Sequence, residues 1–176
     1  VGGGGGGVGK TGVVRGRSAL SESVLFVWGR CMGDLAGSPF QPWLDVLTTL
    51  RETSTWRDEL DLLLVELQTP HDQREGERLD PETARFLVLQ RLSRALQREA
   101  EARAIAIVLD DLHLADLASA GFAAQLVDTP YATRVLLIGV HRELAPDADP
   151  ELTSSLQRIA RSKRRIELGA LSADEI

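Results

Sequence analysis

Gly4-x-x-x-x-Gly9-Lys10-Thr11 has the spacing G-x-x-x-x-G-K-[ST] of a glycine-rich loop that cradles phosphates. Glycines let the backbone wind tightly enough for several N–H groups to point at one anion, and the helix that follows such a loop adds its positive end. In that arrangement Gly4, Gly7, Val8 and Gly9 supply backbone, Lys10 reaches the β- and γ-phosphates, and the Thr11 hydroxyl binds Mg²⁺. Lys10 and Lys163 are the only lysines among 20 basic residues, so a lysine in the glycine run is not background composition. The competing reading is a flexible polyglycine leader, but a leader has no need of Val8-Gly9-Lys10-Thr11 after it.

A second chemical signal lies about 100 residues on, where the apolar run Ala104 to Leu109 stops at Asp110-Asp111. A carboxylate at the end of a buried strand can hold Mg²⁺, and its neighbour can orient or deprotonate an attacking water. Acids also commonly begin a turn, so the pair gains its meaning from following a phosphate loop. The apolar run Val135 to Val140 leads into His141-Arg142, and ligands of open α/β sheets bind outside the carboxyl ends of strands. Arg142 could therefore sense a γ-phosphate, or be a solvated loop arginine. His113 and Asp116 follow the acidic pair closely enough to orient groups there, although a turn histidine usually does nothing catalytic.

These groups need a scaffold, and the hydrophobic pattern supplies one. Val24 to Trp28, Ala104 to Leu109 and Val135 to Val140 are short, continuous apolar runs, as expected of strands in a mostly parallel sheet. The Ala104 run reads as the central strand, and Arg165 to Leu168 as a last one. Between them, apolar residues from Trp43 to Leu67 recur at i, i+3, i+4 and imply one or two helices, with Thr53 to Thr55 as the break. Asp80-Pro81-Glu82 opens a helix to about Arg103, with Phe86, Leu89, Leu92 and Leu96 on its apolar face. Leu117 to Val127 and Glu151 to Ala160 are further helices, Arg15 to Ser23 is a weak one, and Gly33 to Pro42 and Pro70 to Asp80 are loops. Strands alternating with helices give an α/β, three-layer fold.

The composition closes off other classes. With 176 residues, 43% apolar and 26% charged, the chain fits one globular domain over 1–176 and neither disorder nor a disulfide scaffold. A net charge of −6 argues against direct nucleic-acid binding, so Arg158, Arg161, Lys163, Arg164 and Arg165 read as a solvated helix end. Cys31 is the only cysteine, which excludes an intrachain disulfide and a zinc cluster and leaves it as a small apolar residue. No run approaches a membrane span and no secretory signal opens the chain, so a cytoplasmic protein without membrane contact is expected.

Taken together, Gly4-x-x-Gly7-Val8-Gly9-Lys10-Thr11, Gly29-Arg30-Cys31, Ser38-Pro39-Phe40-Gln41-Pro42-Trp43, Ile107 to Asp116, Leu136 to Arg142 and Leu168 to Ser172 resemble one known module. It is the AAA/STAND-type P-loop ATPase module of large LuxR-type transcriptional regulators and adenylate-cyclase-linked regulators. The most specific element is Asp110-Asp111-x-His113-x-Ala115-Asp116. The resemblance implies Lys10 and Thr11 as the Walker A pair, Asp110 as the Walker B magnesium acid, Asp111 as its catalytic neighbour and Arg142 as the first sensor. It implies ATP and Mg²⁺ as ligands, an attached output domain or partner protein, and a nucleotide-dependent oligomer. Leu114 stands where the family usually has tryptophan, and Gly5-Gly6 replace its usual loop residues. Only Val1 precedes the loop, where the family has its first strand, and Ser172 to Glu175 is a capping-box pattern where its helical lid begins. The expectation is thus a P-loop core cut at both ends, without that strand and lid. The function expected is an ATP-hydrolysing switch, or alternatively a nucleotide-binding scaffold with negligible turnover that acts through protein contacts.

Overall fold

A computed structural model describes residues 23–33, 39–69, 81–128, 134–142, 144 and 148–161. The phosphate loop with Gly4, Gly7, Val8, Gly9, Lys10 and Thr11 lies outside the described residues. So do the helix expected from Arg15, the loop 70–80, the strand Arg165 to Leu168 and the capping-box pattern at Ser172.

Three strands form one parallel sheet in the order β1 (Val24–Arg30), β2 (Ala104–Asp110), β3 (Val135–Gly139). β2 is the central strand, and Ile105 through Leu109 are buried in it without exception. Helices α1 (Gln41–Thr53), α2 (Arg57–Gln68) and α3 (Pro81–Ala102) connect β1 to β2. Helix α4 (Leu117–Asp128) connects β2 to β3, and α5 (Pro150–Arg161) follows. This is the α/β architecture with a parallel sheet that the alternating pattern predicts.

Strand order follows chain order, and right-handed crossovers taken in one direction leave their helices on one face of a sheet. The core agrees with that rule. Val27, Ile105, Ile107 and Leu109 share a face by the period-two alternation, and they form one contiguous cluster with Leu47, Leu50, Leu92, Leu96 and Phe122. Trp43, fully buried, meets Phe122 edge to face at 4.6 Å, and its indole N–H donates to the Ser119 carbonyl at 3.2 Å.

Several boundaries differ from the pattern for local reasons. β1 runs through Gly29 and Arg30 because their register partners, Leu109 and Asp110, extend the ladder to that level. The long amphipathic stretch is two helices, broken at Ser54-Thr55-Trp56 without proline or glycine. Phe86 is exposed, so the apolar face of α3 begins at Val88 and continues through Leu92 and Leu96.

Gly29 marks a close approach of backbone to backbone. A Cβ there would lie 2.2 Å from the Pro42 carbonyl oxygen at the start of α1. Gly29→Ala is therefore expected to cost about 1–3 kcal/mol through forced displacement of the strand end. The thermal midpoint, followed by circular dichroism, should fall by roughly 2–12 °C; an unchanged midpoint would contradict the packing described.

Candidate functional site

The two acids lie where the chain leaves the central strand. Asp110 is the last residue of β2, half-buried, and its main-chain carbonyl accepts the Cys31 N–H at 3.0 Å, so the ends of β1 and β2 are level. Asp111 has φ 52° and ψ 40°, a left-handed conformation that aspartate and asparagine tolerate better than most residues. Its N–H donates to Asp110 Oδ1 at 3.1 Å, and its carbonyl accepts the Leu114 N–H at 2.8 Å. A tight turn so formed lifts Asp111 out of the sheet while Asp110 stays on it.

The turn is joined to the exit of β3. Val140 donates to the Leu109 carbonyl at 2.8 Å, and Leu112 donates back to the Val140 carbonyl at 2.8 Å. Gly139 permits this: a Cβ there would lie 2.7 Å from Leu112 Cδ2. Asp110, Asp111, His141 and Arg142 consequently emerge along one edge, outside the carboxyl ends of parallel strands. Arg142 is exposed, and its carbonyl contacts His141 Nδ1 at 2.7 Å.

Asp116 has a structural task. Its Oδ1 accepts the Ser119 N–H at 2.9 Å, which caps the first turn of α4. His113 sits half-buried in a single 3₁₀ turn, Leu112–Leu114. Burial first, then the carboxylates of Asp116, Asp111, Asp110 and Asp45, push the Cys31 thiol up to about 12. The thiol therefore stays protonated at neutral pH, as a small buried apolar group.

Asp110 also opens onto a groove of about 590 Å³ beside β1, lined with it by Trp28, Arg30, Asp45, Thr48 and Thr49. The strand end is pinned to α1: Asp45 Oδ2 accepts the Arg30 N–H at 3.2 Å, and Asp45 Oδ1 accepts Gln41 Nε2 at 2.9 Å. Sequence reasoning missed this wall. Gly29-Arg30 after an apolar run was its legible signal, whereas Asp45 reads as an ordinary helix acid.

Among the described residues no group of three or more His, Cys, Asp or Glu side chains could hold a metal ion. One half-exposed carboxylate facing a groove nonetheless suits Mg²⁺, which keeps several waters and takes one or two carboxylates plus substrate phosphates. No helix among the described residues is long and apolar enough to cross a membrane. A family model described as AAA ATPase domain matches residues 3–138. Comparison with curated proteins and with solved structures gave no match.

Proposed function

The chain belongs to the AAA ATPase domain family, and from that premise we propose that it is an Mg-ATP-hydrolysing switch. The observation that carries the reading is the Asp110-Asp111 pair at the end of the central parallel strand, on a turn held to the exit of the next strand.

In this reading Gly4, Gly7, Val8 and Gly9 wrap the phosphates with backbone N–H groups, and Lys10 neutralises charge on the β- and γ-phosphates. Thr11 and Asp110 would hold magnesium, whose charge offsets the charge that develops as the β–γ bond breaks. Asp111, raised on its turn, orients a water in line with that bond and accepts its proton. Arg142, which follows β3 and is exposed, senses in this reading whether the γ-phosphate is present.

The specific family resemblance supports a finer version. Residues 1–176 form a single STAND-like nucleotide-binding unit of a cytoplasmic, LuxR-type transcriptional regulator or related signalling protein. ATP or ADP in the site sets its contacts with an attached output domain or partner protein, or with further copies of itself.

A thermal melt with and without Mg-ATP tests the reading, with Lys10→Ala as control. Ligand at 100 times its dissociation constant adds about 2.7 kcal/mol, or roughly 5–11 °C for a chain of this size. A shift that disappears in Lys10→Ala is expected. A cooperative melt that Mg-ATP leaves unmoved would overturn nucleotide binding.

A further inference from the structure

Gly139 is the last residue of β3, and its backbone does not require glycine: among the described residues only Gly33 is a glycine with positive φ. A glycine in a strand packs nothing and is costly to order, so its presence there marks a close approach instead. What approaches is Leu112, whose Cδ2 would lie 2.7 Å from a Cβ on residue 139. Gly139 shares a face with Val135 and Leu137 by the period of two, and those residues pack against the core. Leu112, 1% exposed, belongs to that core. It occupies the space that a side chain on residue 139 would take.

Leu112 is also the residue after the acidic pair, and main-chain bonds tie its position to theirs. The Val140 N–H donates to the Leu109 carbonyl and the Val140 carbonyl accepts the Leu112 N–H, both at 2.8 Å. One residue at the exit of β3 thus brackets Asp110 and Asp111 from before and after. On the other flank Cys31 donates to the Asp110 carbonyl and Gly33 to the Leu114 carbonyl, both at 3.0 Å. Leu112 has little freedom to yield alone, because a side chain in a close-packed core rotates only if its neighbours move. The remaining response to a larger residue 139 is a shift of the short turn that carries Asp111.

We propose that Gly139 and Leu112 are positioning residues for Asp111. The fit of Leu112 over the missing side chain sets where the Asp111 carboxylate stands relative to Asp110 and to the exit of β3. The proposal rests on the reading of Asp111 as the group that orients the attacking water. Misplacing a reacting group by about 1 Å can cost roughly 100-fold in rate. Asp110, in contrast, is fixed in the ladder between β1 and β2, so nucleotide affinity should be spared.

The test is single-turnover phosphate release from Mg-ATP beside equilibrium binding of a non-hydrolysable analogue, both on the full chain. Wild type, Gly139→Ala, Leu112→Val, the double variant and Lys10→Ala are compared. Gly139→Ala should release phosphate about 10- to 100-fold more slowly, with affinity within about twofold of wild type. Leu112→Val alone, which loosens the seat of the turn, should slow release about threefold. It also removes the Cδ2 that meets the new methyl group, so the double variant should return to about the rate of Leu112→Val alone. A folded Gly139→Ala that releases phosphate as fast as wild type overturns the positioning role. So do equal losses of rate and affinity, or a double variant no faster than Gly139→Ala. If Gly139→Ala does not fold, Leu112→Val decides, and a wild-type rate in it overturns the role. All of these outcomes leave Lys10-dependent hydrolysis by wild type standing. Nucleotide binding by wild type without Lys10-dependent release removes the hydrolysis reading and this proposal with it.

Discussion

Asp111→Asn should slow phosphate release from Mg-ATP by about 10²–10⁴-fold, the contribution of a positioned general base, and leave nucleotide affinity nearly unchanged. Asparagine is the appropriate replacement because residue 111 has a positive φ, which asparagine accepts almost as readily as aspartate. The turn therefore survives, with the Asp111 N–H still donating to Asp110 and the carbonyl still accepting Leu114. What disappears is the carboxylate proposed to take a proton from water. Asp111→Ala is a poorer probe, since it adds the strain of a left-handed alanine to the lost charge. Single-turnover release beside equilibrium binding separates the outcomes. Retained binding with a rate change below tenfold would assign the chain to the scaffold reading, in which nucleotide is held and output comes from protein contacts.

The second large effect belongs to stability. Glu99 is 4% exposed, yet it is an acid on an otherwise apolar helix face. Its carboxylate accepts Ser54 Oγ at 2.5 Å, Trp56 Nε1 at 3.2 Å, and Arg103 Nε and Nη2 at 2.9 and 2.6 Å. Arg103 also donates to Thr53 Oγ1 at 2.5 Å, and Arg98 lies 4.8 Å above the Trp56 ring. Ser54 and Trp56 belong to the break between α1 and α2, so Glu99 is what that break is built around. Glu99→Ala would leave the buried Ser54 hydroxyl, the half-buried Trp56 indole and the partly exposed Arg103 without their shared acceptor, and about 1–3 kcal/mol is the expected cost. Chemical denaturation should show a lower midpoint at unchanged slope. Glu99→Gln, which keeps an acceptor but loses the charge, should fall between. A loss below about 1 kcal/mol for Glu99→Ala would show that solvent satisfies these donors.

The same residues show how far the sequence could be read. Ala104 to Leu109 is continuous and apolar because β2 is buried on both faces, so its central position and the exposure of Asp110 follow from pattern alone. β1 is less legible, because its end is set by pairing with β2 rather than by its own side chains. Phe86 was misplaced since an aromatic at helical spacing looks like core, whereas this one is half-exposed. Glu99, Asp45 and the groove were invisible for a common reason. Each acquires its role from partners 15 to 45 residues away, which no local period encodes.

The bonds around Asp110 close into a ring. From Arg30 the path passes through the Asp45 carboxylate into α1, and from Trp43 to the Ser119 carbonyl. It returns from the Ser119 N–H to Asp116, back along the turn to Asp110, and across the Cys31 N–H to β1. A closed truss of this kind has few internal soft modes, because moving any corner strains every other link. The main chain of the corner that carries Arg30, Asp110 and Asp111 is accordingly fixed at folding, so a ligand bound there would have only side chains left to order. A displacement imposed on any one link would travel outward as rotation of the whole corner, the hinge or shear displacement of a preformed body.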